Sequence, residues 1–413
     1  MNLILRDREA RAQRIELLHK ANPDSVIIAL RLNIVGGEKN KLNLQWVLWE
    51  IEKLISIRLK SKIINKETFE SLDGRYVLYT VDGDPLDIKK SMIDIESTSP
   101  IGRLVDIDVY TDTSISRTDL NLPKRKCIIC GNDADVCVRS KQHPLDEVTD
   151  KTDTIAKNAL IKIIYDETID AMIDELKLYP CFGLVSYEDS GAHSDMDYKT
   201  FELSIEALKK TVRDYLEAEM DPVILNQIGV DAERRMFDAT NGVNTHKGLI
   251  FLLGVFLPTY KHAIEHQLSK NDMKKYIELI TKSIVGDYYT KLHTANSHGD
   301  EVFIRYNVKG VREICLKGLE EVLEYDVENP YDKLVRLMSI VDDTTIIHRF
   351  DLKMLKLVQN DMKDFLMMGG YDAHTNLFER LSETYKKRGI SPGGSADLWV
   401  ISTLYDRTRY LIK

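Results

Sequence analysis

The apolar pattern of this chain changes period once, and the change limits the architectures open to it. Up to about residue 150, segments with a two-residue repeat alternate with segments of helical spacing. Ser25–Gly36 (SVIIALRLNIVG) is β-branched, is stopped by glycines and reads as a strand. Asn43–Leu59 carries Leu44, Val47, Leu48, Ile51, Leu54 and Ile55 on one stripe and reads as a helix. Gly74–Asp84 reads as a strand closing on an Asp-Gly turn, and the helix after it has Asp84 as cap and Pro85 at its first position. Gly102–Asp112 is again strand-like. From Ala156 to Lys413 the long apolar segments have helical spacing, and no strand pair stands out. The expectation is a multidomain chain: an N-terminal α+β unit over 1–150 and a C-terminal all-α helical unit over 151–413. The polar stretch Glu147–Asp153 between them reads as a short linker.

Composition narrows the function. Of 413 residues, 43% are hydrophobic and 30% charged, enough for sizeable cores. The net charge of −9 argues against a general nucleic-acid binder, which must neutralise phosphates. A small anion in a local basic pocket stays open. The start has charges by Arg6 and no long apolar core, so it does not read as a signal peptide. The apolar run Gly248–Pro258 is too short to span a bilayer and reads as a buried helix. Five cysteines in so long a chain do not make a disulfide scaffold, so a reducing cytoplasm is expected.

Several clusters carry chemistry. Asp106 and Asp108 lie two apart on a strand, which points both carboxylates to one face. Such a pair suits Mg²⁺ and a phosphoryl group; it equally describes an edge strand with a solvated acidic face. Cys127, Cys130, Cys137 and His143 offer three sulfurs and an imidazole, a tetrahedral zinc set; reduced core cysteines fit the same pattern. Lys124, Arg125, Lys126, Arg139 and Lys141 give this stretch a local positive excess suited to phosphates. In the second half, Ser190–Phe201 gathers Gly191, His193, Asp195 and Asp197 at a helix mouth. Asn244, Thr245, His246, Lys247 and Gly248 precede the apolar helix, and Pro392–Asp397 begins another with Ser395 and Asp397. Glycine-shaped turns at helix starts are natural anion seats, though Asn244 or Thr245 also serves as an ordinary cap. Ala295–Glu301, Lys309–Glu313 and Asp342–Arg349 add polar groups among apolar helices, and no P-loop or dinucleotide fingerprint is present.

Gly191–Phe201 (GAHSDMDYKTF), Gly242–Gly248 (GVNTHKG) and Ser391–Leu398 (SPGGSADL) closely resemble the triphosphoribosyl-dephospho-CoA synthase family of the citrate lyase system. Leu5–Leu18, Gly102–Thr111 and Ser114–His143 resemble its partner family, the citrate lyase holo-(acyl carrier protein) synthase. The two resemblances cover nearly the whole chain and imply a fusion. They imply that one half joins the ribose of ATP to the 2′-hydroxyl of 3′-dephospho-CoA and expels adenine. The other half would load the product on a serine of the apo-citrate lyase acyl carrier (gamma) subunit and release pyrophosphate. The first half would then carry a nucleotidyltransferase-like mixed sheet with helices, although that superfamily's glycine-serine turn is absent from its usual place. Asp106 and Asp108 become catalytic and Mg²⁺-binding. Asp195 or Asp197 would hold Mg²⁺ on the triphosphate while the other activates the attacking hydroxyl. A carboxylate also stabilises the oxocarbenium-like centre. His193 or His246 would protonate the leaving base. Arg117, Arg125 and Arg139, with Asn244, Lys247, Arg312, Glu313, Asp343, Ser395 and Asp397, become phosphate and nucleotide candidates. The family's D-[TS]-N reads here as Asp343, Thr344, Thr345. The competing readings are the equivalent enzymes of malonate decarboxylase maturation and a zinc-containing adaptor without activity. Neither nucleic acid nor membrane is an expected partner.

Overall fold

The computed structural model describes residues 3–34, 41–286, 288–295 and 297–412. Val35 and Gly36 of the expected first strand, and Asn296, lie outside the described residues. The chain divides into two compact units, one up to Leu160 with Ile264–Gln267 and Tyr410–Ile412, the other formed by the remainder.

The first unit is built on five strands: β1 (Val26–Leu32), β2 (Ile63–Phe69), β3 (Tyr76–Val81), β4 (Val105–Tyr110) and β5 (Ser114–Ile115). Their order is β2-β3-β1-β4-β5, and every neighbouring pair is antiparallel, so the sheet is not mixed. The α+β expectation holds. Its helices are α1 (Leu3–Ala21), α2 (Gln45–Leu59), α3 (Pro85–Thr98) and α4 (Ala134–Ser140); α5 (Leu145–Leu176) follows. Asp84 caps α3 as expected, accepting from the Leu86 and Asp87 amides at 3.0 Å each. Leu18, Ile27, Ala29, Tyr76 and Leu78 form one buried cluster of α1 and the sheet. Strand β2 was not anticipated: Asn65, Lys66 and Glu67 interrupt its strand formers Ile63, Ile64, Thr68 and Phe69, and most of its side chains are exposed, so it shows no clean alternation. Glu147–Asp153 is not a linker loop; it lies within α5.

Among its described residues the second unit has helices and no strands. After α5 come α6 (Tyr198–Glu217), α7 (Pro222–Ala239), α8 (Lys247–His266), α9 (Lys270–Val285), α10 (Tyr288–Lys291), α11 (His298–Tyr306) and α12 (Val311–Leu316). The chain ends through α13 (Glu320–Leu323), α14 (Pro330–Ile340), α15 (Thr344–Arg349), α16 (Leu352–Met367), α17 (Gly370–Ala373), α18 (Thr375–Lys387) and α19 (Gly393–Thr408). Helix α8 is apolar all round, with Leu249, Leu252, Leu253, Val255, Phe256 and Tyr260 each at 0% exposure, so it is the buried core helix its sequence predicts. Among the described residues no helix is long and apolar enough to cross a membrane.

Candidate functional site

In the first unit, β4 alternates buried Val105, Ile107 and Val109 with half-buried Asp106, Asp108 and Tyr110. Antiparallel register sets Arg31 of β1 opposite Asp106, and their side chains meet at 2.6 Å. Arg125 reaches the other Asp106 oxygen at 2.6 Å and also pairs with Glu96 of α3. Glu96 is 6% exposed and accepts from the Ile107 amide at 3.0 Å, while buried Lys89 donates to the Ile107 carbonyl at 3.1 Å. Burial pushes the Glu96 carboxyl up and the Lys89 ammonium down. Asp108 meets Arg31 only at 4.0 Å; burial, then the Asp106 charge, raise its pKa from the ordinary value. Asp106 and Asp108 share a face but not a role: one is neutralised by two guanidinium groups, the other keeps a basic carboxylate. As folded, with Arg31 beside both, the pair does not fit a resident Mg²⁺ ion. Arg117 joins the network through Glu96 at 3.5 Å. Arg139 does not; it is 82% exposed and leans on Asp135. Lys124 and Lys126 are likewise taken up by Asp135 and Asp133, at 2.9 and 2.8 Å.

Beside this network, Cys127, Cys130, Cys137 and His143 hold their ligand atoms within 4.8 Å of one another. Gly131, at φ +75°, turns the knuckle back so that the Cys127 amide donates to the Asn132 carbonyl at 2.6 Å. Cys130 Sγ lies 3.5 Å from Cys137 Sγ and 3.3 Å from His143 Nε2. Glu147 faces His143 Nδ1 at 3.6 Å, a contact that orients the imidazole with Nε2 toward Cys130. Sulfurs about 3.8 Å apart are what a tetrahedral zinc centre requires, so the donor set fits. The Asn132 amide and His143 lower the Cys130 thiol to about 6, while burial pushes Cys137 up to about 12.

The second unit holds a cavity of about 910 Å³. Separated segments line it, among them Glu175, His193 with Asp195, Asn244 with Lys247, His298 with Glu301, Arg312, Thr344 with Arg349, and Ser391 with Asp397. Glu313, Asp343, Ser395 and Asp197 are not among the lining residues. Asp197 instead caps α6, accepting from the Thr200 amide and hydroxyl at 3.0 Å each, and these bonds lower its pKa. Asp195 is 62% exposed, so the two aspartates do not fit a shared ion. Glu313 turns to Lys309 at 3.4 Å and Lys317 at 3.9 Å.

The two glycine-rich helix starts are not empty anion seats. Asp343 caps its own α15 through the Thr345 amide at 3.0 Å and also takes the Ser395 amide and hydroxyl of α19 at 2.9 and 3.1 Å. Asp397 of α19 in turn accepts from the Leu249 amide at the start of α8. Its oxygen would lie 2.0 Å from a Cβ on Gly248, so only glycine admits it. Each helix start is thus filled by a carboxylate from a distant segment.

Cationic side chains also line the cavity. Arg312 stacks over Phe251 and Tyr288, 5.2 and 5.4 Å from their centroids, and no carboxylate lies within ion-pair distance among the described residues. It also lines a second cavity of about 240 Å³, as do Lys247 and Phe251. Lys247 pairs with Glu233 at 3.0 Å. Arg349 donates to His193 Nδ1 at 2.9 Å and to the Ala192 and Gly389 carbonyls, locking three loops together. Burial and then Arg349 lower His193 to about 4, and burial lowers His246 to about 3. His246 is bonded to Ser204 at 2.6 Å. Both imidazoles are therefore neutral near neutral pH, and neither holds the spare proton a leaving base needs. The sequence reading missed Arg349, which closes the motif Asp342–Arg349, and Glu175, which sits in an ordinary amphipathic run of α5 with no local mark of its position.

A helical unit whose cavity gathers buried acids and an uncountered guanidinium, fused to a small antiparallel unit with arginine-bridged aspartates, defines a two-unit group-transfer protein. Residues 164–412 match the family described as ATP:dephospho-CoA triphosphoribosyl transferase, and residues 1–159 match apo-citrate lyase phosphoribosyl-dephospho-CoA transferase. The chain belongs to the ATP:dephospho-CoA triphosphoribosyl transferase family, with the second transferase fused ahead of it. Protein CitXG of Haemophilus influenzae is 29% identical over 92% of this chain and 90% of its own length. Protein CitXG of Leuconostoc mesenteroides is 28% identical over 98% and 96% respectively. A probable 2-(5''-triphosphoribosyl)-3'-dephosphocoenzyme-A synthase of Streptococcus pyogenes is 30% identical, covering 59% of this chain and 96% of its own.

Proposed function

We propose that this chain is the bifunctional maturation enzyme of citrate lyase. It makes 2′-(5″-triphosphoribosyl)-3′-dephospho-CoA from ATP and 3′-dephospho-CoA, releasing adenine. It then transfers the phosphoribosyl-dephospho-CoA group to a serine of the apo acyl carrier subunit, releasing pyrophosphate. The observation that carries the reading is the cavity: the three segments that resemble the synthase family, from Gly191, Gly242 and Ser391 onward, all contribute to its lining.

Within that cavity, Arg312 and Lys247 suit the triphosphate, and Asn244 and Thr344 suit nucleotide hydroxyls. Asp195, exposed at the loop before α6, is placed to take the proton of the attacking hydroxyl. Mg²⁺ is assigned as the counter-ion that accompanies the triphosphate, not as an ion resident on either aspartate pair. In the first unit, Asp108, with its raised pKa, is the better acceptor for a serine proton, while Arg125 and Arg117 suit the departing pyrophosphate. Zn²⁺ on the Cys/His set would hold the loop that presents Arg125. The functional boundary near residue 150, a citrate lyase carrier as partner and work in the cytoplasm complete the reading; the five free cysteines agree with a reducing compartment.

The test is one incubation. With ATP and 3′-dephospho-CoA, free adenine accumulates; adding apo-carrier gives a carrier of higher mass together with pyrophosphate. No adenine and no carrier modification would leave the adaptor reading instead.

A further inference from the structure

Glu175, in the last turn of α5 at the wall of the large cavity, is 5% exposed, and its carboxyl has no hydrogen-bond or ion-pair partner among the described residues. An unpartnered carboxyl in that position is expensive to hold ionised and has no structural bond to explain it. Asp397 is its acidic neighbour. Burial first, then the charge of Glu175, hold the Asp397 carboxyl well above its ordinary value although it accepts from the Leu249 amide, so it sets no fixed negative charge beside Glu175 at neutral pH.

We propose that Glu175 is the proton donor to the departing adenine. The inference rests on the synthase reading above and adds a residue that reading does not supply, since His193 and His246 are neutral. The bond from the attacking 2′-oxygen to C1′ of the ATP ribose forms as the C1′–N9 bond breaks. The electron pair of that bond goes to the purine, the Glu175 proton goes to a purine ring nitrogen, and neutral adenine leaves. The hydroxyl proton passes to Asp195. Glu175, left as carboxylate, regains a proton from solvent after product release. Burial lifts the Glu175 carboxyl to about 8, so it carries its proton at neutral pH. The ionisable groups that face it are Asp397 and the Cys181 thiol, and no lysine or arginine pairs with it.

The test compares ATP with ATP methylated at N7, whose purine is already cationic and leaves without protonation. Glu175→Gln is expected to slow adenine release from ATP by about 10²- to 10⁴-fold, the usual worth of a general acid, while release of N7-methyladenine stays within about tenfold of wild type. In the wild-type enzyme, release from ATP should fall as pH rises through about 8, because the donor is lost, and this alkaline limb should be absent with the methylated substrate. Equal loss on both substrates in the variant, or the same alkaline limb for both in wild type, would overturn the role. Wild-type enzyme that releases no adenine from ATP and 3′-dephospho-CoA would overturn the synthase reading beneath it.

Discussion

His193 and His246 hold imidazoles below the value of an exposed one, to about 4 and about 3 from 6.5, chiefly by burial. The folded chain therefore refuses protons that the unfolded chain accepts below about 6.5, and stability falls as pH drops through that value. At about pH 5 each histidine accounts for roughly 2 kcal/mol of that loss. Replacing His246 by Gln, which never charges, should remove roughly 2 kcal/mol from the fall in unfolding free energy, read by urea titration, between about pH 7 and pH 5. An unchanged fall would show that His246 is not held neutral. The same residues show what a sequence can and cannot reveal at this scale. His193, Asn244 and Lys247 sit in polar turns that stand out against apolar helices, and they do line the cavity. Their protonation states depend on burial and on Arg349, which contacts His193 across 156 residues of chain. Glu175 was invisible for the same reason: burial, not its neighbours in sequence, makes it unusual.

Helix starts are the element that organises the second unit. Asp343 ties α15 to α19 and Asp397 ties α19 to α8, so two of the turns that resemble anion seats are cross-linked by carboxylates. The substitution Gly248→Ala tests this directly. A methyl group 2.0 Å from the Asp397 oxygen forces that carboxylate off the α8 start. Adenine release should drop by about 10²-fold, the effect of a displacement of about 1 Å in a catalytic site, with the carrier-loading step intact when premade intermediate is supplied. Normal adenine release would mean that Asp397 does not need the α8 amide. The capping glycines and Asp residues were legible, but their partners were not, because each cap comes from a segment far along the chain. Helices α2, α3, α6 and α8 and strands β1, β3 and β4 follow from periodicity alone. Edge strand β2 does not, since the polar run Asn65, Lys66 and Glu67 erases the apolar repeat.

At the scale of the whole molecule, an acidic chain gathers polar groups in two places: an arginine-bridged aspartate strand in one unit and a cavity lined by Lys247, Arg312 and Arg349 in the other. The change of period near residue 150 announced two kinds of architecture, but the continuous helix α5 conceals the junction that polar residues suggested. What joins the account together is the claim that one cavity of the second unit grips ATP by its phosphates and frees its base. ATP alone lacks the acceptor hydroxyl and should survive in the site, so a crystal structure with ATP soaked in measures the claim directly. The account predicts triphosphate oxygens within hydrogen-bond distance of Arg312, with the base in the same cavity as Glu175. ATP bound outside that cavity, or only in the first unit, would contradict it.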